Sequence, residues 1–136
     1  IKGLIEGRTY IVGSPRMAAE FGLMRPDVES LTEALERAAN TTVLVMVDDA
    51  VLAVLAIADP IRSTSREAVV DLRALGMHPI MLSGDNARTA QAIGAQLGIN
   101  DVRAELLPED KQRAVAELTA LGATGMVGDG VNDAPA

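Results

Sequence analysis

Asp129 and Asp133 stand four residues apart around Gly130, in the run Gly128-Asp-Gly-Val-Asn-Asp133. Hard oxygen donors at a strand end suit Mg²⁺, which binds through one or two carboxylates plus a substrate phosphate. A polar turn with solvated acids has the same spacing, since Gly-Asp-Gly turns are common, so spacing alone leaves both readings open. A second cluster, Ser83-Gly84-Asp85-Asn86, precedes a predicted helix. A hydroxyl, a glycine amide and the first amides of a helix together make an anion site. Asp85 or Asn86 caps that helix in either case, so anion binding rests on Ser83 and Gly84. Lys111 falls in the first turn of a helix begun by Pro108, where a cation opposes the helix dipole. It is an ordinary surface lysine unless a phosphate lies beside it, where it would neutralise developing charge.

These residues need a scaffold, and the sequence predicts one. Thr9 to Val12 reads as a short strand ended by Gly13. Ser14 is an N-cap with Pro15 in the first helical position, and the helix runs to about Phe21 before Gly22. Pro26-Asp27 reads as a break, followed by helical composition from Ser30 to Ala39. Thr42 to Asp48 and Val51 to Ala58 read as a hairpin. Asp59-Pro60 is the clearest boundary, because the residue before proline is pushed out of the helical region. Beyond it the rhythm becomes helix, strand, helix, strand. A helix capped by Ser63 or Thr64 carries Ala68, Val69, Leu72 and Leu75 as a buried stripe and stops at Gly76. Strands follow at Pro79 to Leu82, Val102 to Ala104 and Thr124 to Val127, with helices at Ala87 to Leu97 and Pro108 to about Leu121. That alternation predicts an α/β fold, a parallel sheet flanked by helices, with ligands at the carboxyl ends of its strands.

Composition narrows the function. The 136 residues carry 49% hydrophobic and 23% charged side chains, a globular balance. A net charge of −7 argues against a nucleic-acid partner, though not against a phosphate ligand held with a metal ion. Cysteine is absent, so neither a disulfide framework nor a thiolate metal site is available. The 6 methionines fall mostly on apolar runs and read as core filler. His78, the single histidine, reads as a loop or strand-edge residue. No phosphate loop of the Gly-x-x-x-x-Gly-Lys-Ser/Thr type occurs. No apolar run approaches the roughly 20 residues that span a bilayer. The start at Ile1-Lys2-Gly3 and the finish at Ala134-Pro135-Ala136 both read as cuts in a longer protein.

Met126-Val-Gly-Asp-Gly-Val-Asn-Asp-Ala-Pro-Ala136 resembles the hinge motif of P-type ATPases. Ser83-Gly-Asp-Asn86 resembles their Thr-Gly-Asp-Asn motif, Pro108-Glu-Asp-Lys111 their Pro-x-x-Lys motif, and Asp59-Pro-Ile-Arg62 the segment joining their nucleotide-binding and phosphorylation domains. Tyr10-Ile-Val-Gly-Ser14 resembles the Val-Gly-Asn segment of the heavy-metal subgroup. The resemblance implies a haloacid-dehalogenase-like phosphorylation domain over residues 59–136, preceded over residues 1–58 by the C-terminal part of an α+β nucleotide-binding domain. It implies ATP as substrate, an aspartyl-phosphate intermediate, Mg²⁺ as cofactor and a cation, of the heavy-metal class, as cargo. Asp129 would bind Mg²⁺, and Asn132 and Asp133 would order the phosphorylation site. Ser83 and Gly84 would hydrogen-bond the phosphoryl group, with Asp85 in the same catalytic motif, and Lys111 would balance its charge. Gly13 would line the adenine pocket with Ser14 at the nucleotide, and Asp59 and Arg62 would shape the hinge and the nucleotide's approach. The implied partners are ATP and the rest of the polypeptide, its actuator domain and transmembrane helices. The implied place is the cytosolic face of a membrane, without direct membrane contact by this stretch.

Three departures stand out. Ser83 replaces threonine but keeps the hydroxyl. Ser14 replaces asparagine, which removes an amide contact to nucleotide. The Asp-Lys-Thr-Gly-Thr segment that carries the phosphorylated aspartate does not occur, nor do the subgroup's His-Pro and Gly-x-Gly motifs, all expected upstream of Ile1. Turnover is therefore not expected of these 136 residues alone. A soluble phosphatase of the same superfold could share Asp129, Asp133 and Lys111. A non-catalytic nucleotide-binding module is a further alternative.

Overall fold

A computed structural model describes residues 1–128. Its first half is an antiparallel sheet in the order β1 (Lys2–Ile5), β2 (Arg8–Gly13), β3 (Thr41–Val47), β4 (Ala50–Ile57). Two helices lie between β2 and β3, α1 (Pro15–Glu20) and α2 (Pro26–Arg37). β1 is exposed at every position, which is why no alternating pattern marks it in the sequence. It is turned onto β2 through Glu6 and Gly7, both at positive φ (50° and 77°), the backbone a tight two-residue hairpin requires. The β3–β4 hairpin is present as expected.

The two helices start differently. Ser14 caps α1, its Oγ accepting the Met17 amide at 3.3 Å. Pro26, read from sequence as a break, instead occupies the first turn of α2. There its missing N–H costs nothing and its fixed φ favours helix. Asp27 and Glu29 in the first turn and Arg37 in the last complement the dipole. On β3 the buried positions alternate through Thr42, Leu44 and Met46. Leu44 and Met46 pack with Ala18 of α1 and Val28 of α2 to make the core cluster. Burying each of the two larger side chains contributes roughly 1.5–3 kcal/mol, so the core of the molecule sits in this first half.

The second half comprises α3 (Ser63–Ala74), β5 (Ile80–Leu82), α4 (Ala87–Leu97), β6 (Asp101–Arg103) and α5 (Pro108–Leu121). β5 and β6 pair in parallel, Met81 opposite Val102, with α4 as the crossover between them. Asn86 caps α4, and Gly98 ends it in the left-handed region at φ 76°. Gly94 lets α4 sit against β6: a Cβ there would lie 2.5 Å from Val102 Cγ2 and 3.1 Å from the Ile99 carbonyl.

Two expectations fail here. The stripe expected on α3 is not buried: no residue of that helix is, and Leu75 is 73% exposed. α3 is held instead by charge. The Arg66 guanidinium donates to the Gln96 carbonyl (2.8 Å from Nε), and Arg73 donates to the Gly98 carbonyl. Both carbonyls are otherwise orphaned at the end of α4, where cations are favoured. Residues 124–127 form no strand, and Val127 is fully exposed. Apolar β-formers make a strand only beside a neighbour that takes their backbone groups, and among the described residues the parallel sheet contains only β5 and β6.

Candidate functional site

Residues 83–86 leave the carboxyl end of β5 and turn into α4. Ser83 prolongs the ladder, its N–H donating to the Arg103 carbonyl at 2.9 Å. The Leu106 N–H then donates to the Ser83 carbonyl (3.0 Å), and the Glu105 N–H to the Asp85 carbonyl (2.8 Å). The loop is thus laced to the segment that leads from β6 into α5. Ser83 is buried, and its hydroxyl is doubly engaged. It donates to Asp85 Oδ2 at 2.8 Å and accepts the Asp85 N–H at 3.1 Å. Asn86 is the cap, its Oδ1 accepting the Thr89 amide at 3.0 Å.

Gly84 differs from the other close-packed glycines. Its φ is outside the left-handed region, and an added Cβ would meet only the Leu106 carbonyl, at an ordinary 3.4 Å. The fold itself does not require glycine here. What glycine leaves open is approach to the loop's amides at the start of α4, which suits an anion.

Lys111 lies in the first turn of α5 and is half-buried, its amide bonded to the Leu107 carbonyl at 3.1 Å. Asp110 accepts the Leu107 N–H at 3.0 Å and so fixes the start of this helix. Because Leu106 is bonded to Ser83, the helix bearing Lys111 begins directly at the Ser83 loop. The structure therefore joins Ser83, Gly84, Asp85 and the α5 N-terminus in one backbone assembly. Among the described residues no group of three acidic or histidine side chains could hold a metal ion. Asp129, Asn132 and Asp133, on which metal binding and site order were expected to rest, lie outside the described residues.

The other expected site residues are placed elsewhere. Gly13 ends β2 opposite Leu44, and a Cβ there would fall 2.5 Å from Met17 Sδ, in a flexible side chain that would have to shift. Ser14 is spent on the α1 cap. Asp59 and Arg62 are exposed on the irregular stretch 58–62, and neither side chain makes a hydrogen bond or ion pair among the described residues.

One residue that sequence did not single out reaches the loop. Thr41, at the start of β3, donates from Oγ1 to Asp85 Oδ1 at 3.3 Å. Around it runs a polar seam between the halves. Thr89 Oγ1, fully buried, donates to the Asn40 carbonyl at 2.9 Å. Arg88 of α4 bonds Glu33 (2.7 Å) and the buried Glu36 (3.2 Å) of α2, and Thr42 donates to Glu36 at 3.0 Å. A threonine at a strand start reads only as β-propensity, so no sequence signal separates Thr41 from its neighbours.

The model of the haloacid dehalogenase-like hydrolases matches residues 5–136. The chain belongs to that family. Its relatives include a probable cadmium-transporting ATPase of Staphylococcus aureus, 41% identical over 100% of this chain and 17% of the relative. A copper-exporting P-type ATPase B of Archaeoglobus fulgidus is 40% identical over 100% of this chain and 19% of its own length. A crystal structure of a zinc-transporting PIB-type ATPase in its E2.Pi state superposes with a TM-score of 0.64 at 38% identity, covering 99% of this chain and 21% of that one. The CopB-B catalytic domain shares the fold, with a TM-score of 0.61 at 22% identity. The motif resemblance to heavy-metal P-type ATPases is borne out, and so is the haloacid-dehalogenase-like fold. This chain spans under a fifth of the length of the curated relatives named here. Among the described residues no helix is long and apolar enough to cross a membrane.

Proposed function

We propose that this chain is part of the ATP-hydrolysing unit of a P-type ATPase that moves heavy-metal cations across a membrane, on its cytosolic side. Residues 59–136 act as phosphorylation domain and residues 1–58 as the end of the nucleotide-binding domain. The observation that carries the reading is the lacing of the Ser83 loop to the start of α5. It sets a loop with a hydroxyl and an open glycine beside the start of the helix that bears Lys111, which supports reading the place as a phosphoryl site.

In this reading Ser83 turns its proton from Asp85 to a phosphoryl oxygen while still accepting the Asp85 amide. Gly84 offers its N–H without a side chain in the way, and Lys111 offsets the charge that spreads over the transferred group. The donor set fits a metal as well, because a phosphoryl group set beside the Asp85 carboxylate requires cationic counter-charge. Mg²⁺ would rest on Asp129 and supply that charge, with Asn132 and Asp133 ordering the loop around it. Gly13 and Ser14 would face the nucleotide, and Asp59 and Arg62 would form the connection about which the halves adjust. The nucleophilic aspartate belongs to a motif this sequence does not contain.

The test is substitution in the full-length pump carrying this chain, read as metal-stimulated ATP hydrolysis. Lys111→Ala lowers kcat about 10²-fold or more, the scale of losing one preorganised charge-stabilising group. Ser83→Ala lowers it less, and Ser83→Thr is tolerated. Full activity in Lys111→Ala would remove the site as a phosphoryl-transfer centre.

A further inference from the structure

We propose that Thr41 is a positioning residue for the phosphoryl-binding loop, acting through Asp85 on Ser83; this rests on the function proposed above. Thr41 lies 44 positions before Asp85 in the sequence and belongs to the other sheet. Its hydroxyl nevertheless binds the carboxylate oxygen that Ser83 does not. Asp85 Oδ2 takes the Ser83 proton at 2.8 Å, and Oδ1 takes the Thr41 proton at 3.3 Å. A carboxylate turns freely about its last torsion, which is broad and roughly two-fold. Donors on both oxygens, from two separate elements, remove that freedom and with it the play in Ser83.

Thr41 is itself well anchored. Its backbone is paired with Ile57 across the sheet. The residue before it, Asn40, is held twice. Its carbonyl accepts the buried Thr89 hydroxyl at 2.9 Å, and its side-chain amide donates to the Leu35 carbonyl at 3.0 Å. A donor fixed on a strand end positions its partner better than one on a loose loop.

The bond also has a part in turnover. When Ser83 turns its proton toward a phosphoryl oxygen, Asp85 loses that donor while an anion arrives beside it. Thr41 is then the side-chain donor left on the carboxylate, and it draws charge from the edge facing the incoming group. The interaction strengthens as the phosphoryl group is engaged, so its loss falls on kcat rather than on nucleotide binding.

The experiment compares Thr41→Val, Thr41→Ser, Ser83→Ala and the Thr41→Val/Ser83→Ala double variant in the full-length pump, measuring kcat and KM for ATP. Thr41→Val is expected to lower kcat about five- to tenfold with KM unchanged, the scale of one side-chain hydrogen bond to a carboxylate weakened by its 3.3 Å length. Thr41→Ser, which keeps the hydroxyl, restores the rate. The double variant is no slower than Ser83→Ala, because Thr41 acts through Ser83. Normal kcat in Thr41→Val overturns the proposal, as does a Thr41→Ser variant as slow as Thr41→Val. So does a Thr41→Val loss that persists in full on the Ser83→Ala background. If Ser83→Ala itself is fully active, the phosphoryl-site reading falls and this inference falls with it. If Ser83→Ala is impaired and Thr41→Val is not, this inference alone is lost.

Discussion

Arg88→Ala isolates what holds α4 against α2. Arg88 reaches two carboxylates with different surroundings. Glu33 is partly exposed and is also bonded by Arg37 at 2.8 Å, so its pair with Arg88 is a surface pair worth about 0.2–1 kcal/mol. Glu36 is 3% exposed and has two side-chain partners, Thr42 at 3.0 Å and Arg88 at 3.2 Å. Removing Arg88 leaves a buried carboxylate with a neutral donor and no cation. A fully buried pair broken on one side costs about 3–5 kcal/mol. Here the Arg88 side chain is 50% exposed, so water takes up part of the loss and about 1–2 kcal/mol is expected for this contact. Together the two contacts put Arg88→Ala near 2 kcal/mol, against about 0.5 kcal/mol for Glu33→Ala.

The assay is urea unfolding followed by far-ultraviolet circular dichroism and by fluorescence of Tyr10, the single tyrosine. A destabilisation of about 2 kcal/mol lowers the thermal midpoint by roughly 6–10 °C in a chain of this size. The diagnostic arm is Arg88→Leu combined with Glu36→Leu. Replacing both charges recovers most of the loss, because the single-variant penalty is the stranded carboxylate rather than the bond. Equal effects of Arg88→Ala and Glu33→Ala would refute this reasoning, and so would a double variant less stable than Arg88→Ala.

Gly94→Ala places a Cβ 2.5 Å from Val102 Cγ2 and 3.1 Å from a backbone carbonyl, so it costs about 1–3 kcal/mol by pushing α4 off β6; unchanged urea stability would contradict this. Hydrogen exchange divides along the chain: β3, with Leu44 and Met46 buried, protects its amides most, while α3, which buries no residue, exchanges early. Slow exchange throughout α3 would show that Arg66 and Arg73 hold it more firmly than two exposed contacts can. The 136-residue chain incubated with γ-labelled ATP and Mg²⁺ takes up no acid-stable label, because the nucleophile's motif is not in its sequence; stable labelling would show another residue doing that chemistry.

Local signals proved the most legible. Ser14-Pro15 and Pro108 each mark a helix start by chemistry within a few residues and stand where expected, and of the two cap candidates for α4 it is Asn86 that caps. The turn from Ser83 to Asn86 was equally readable, since the residues that shape it and cap α4 are neighbours in sequence. Illegible features depend on what lies across space. Pro26 carries the same local meaning whether the chain breaks or a helix begins, and only the packing of Val28 on the sheet decides. Leu72, Leu75 and the apolar residues 124–127 have the period of buried elements, but period cannot say whether a covering neighbour is present. Nothing local marks Glu36 for burial, which Arg88, 52 positions away, and Thr42 make possible. The Thr41–Asp85 bond is hidden for the same reason.

The seam between the halves suits the proposed chemistry because its partners are polar. Thr41 with Asp85, Thr89 with Asn40, and Arg88 with Glu33 and Glu36 can all exchange one another for water. Each such bond contributes only about 1 kcal/mol net, since water replaces it on separation. The apolar cluster of Ala18, Val28, Leu44 and Met46 lies wholly on one side, so parting the halves leaves it covered. The fold therefore resists melting of the sheet far more than opening of the seam, as expected of polar interfaces within one chain. Thr41 stands on that seam and touches the carboxylate that holds Ser83. A movement of the first half that carries Thr41 away from Asp85 would therefore remove one of the two side-chain donors on the carboxylate that holds Ser83.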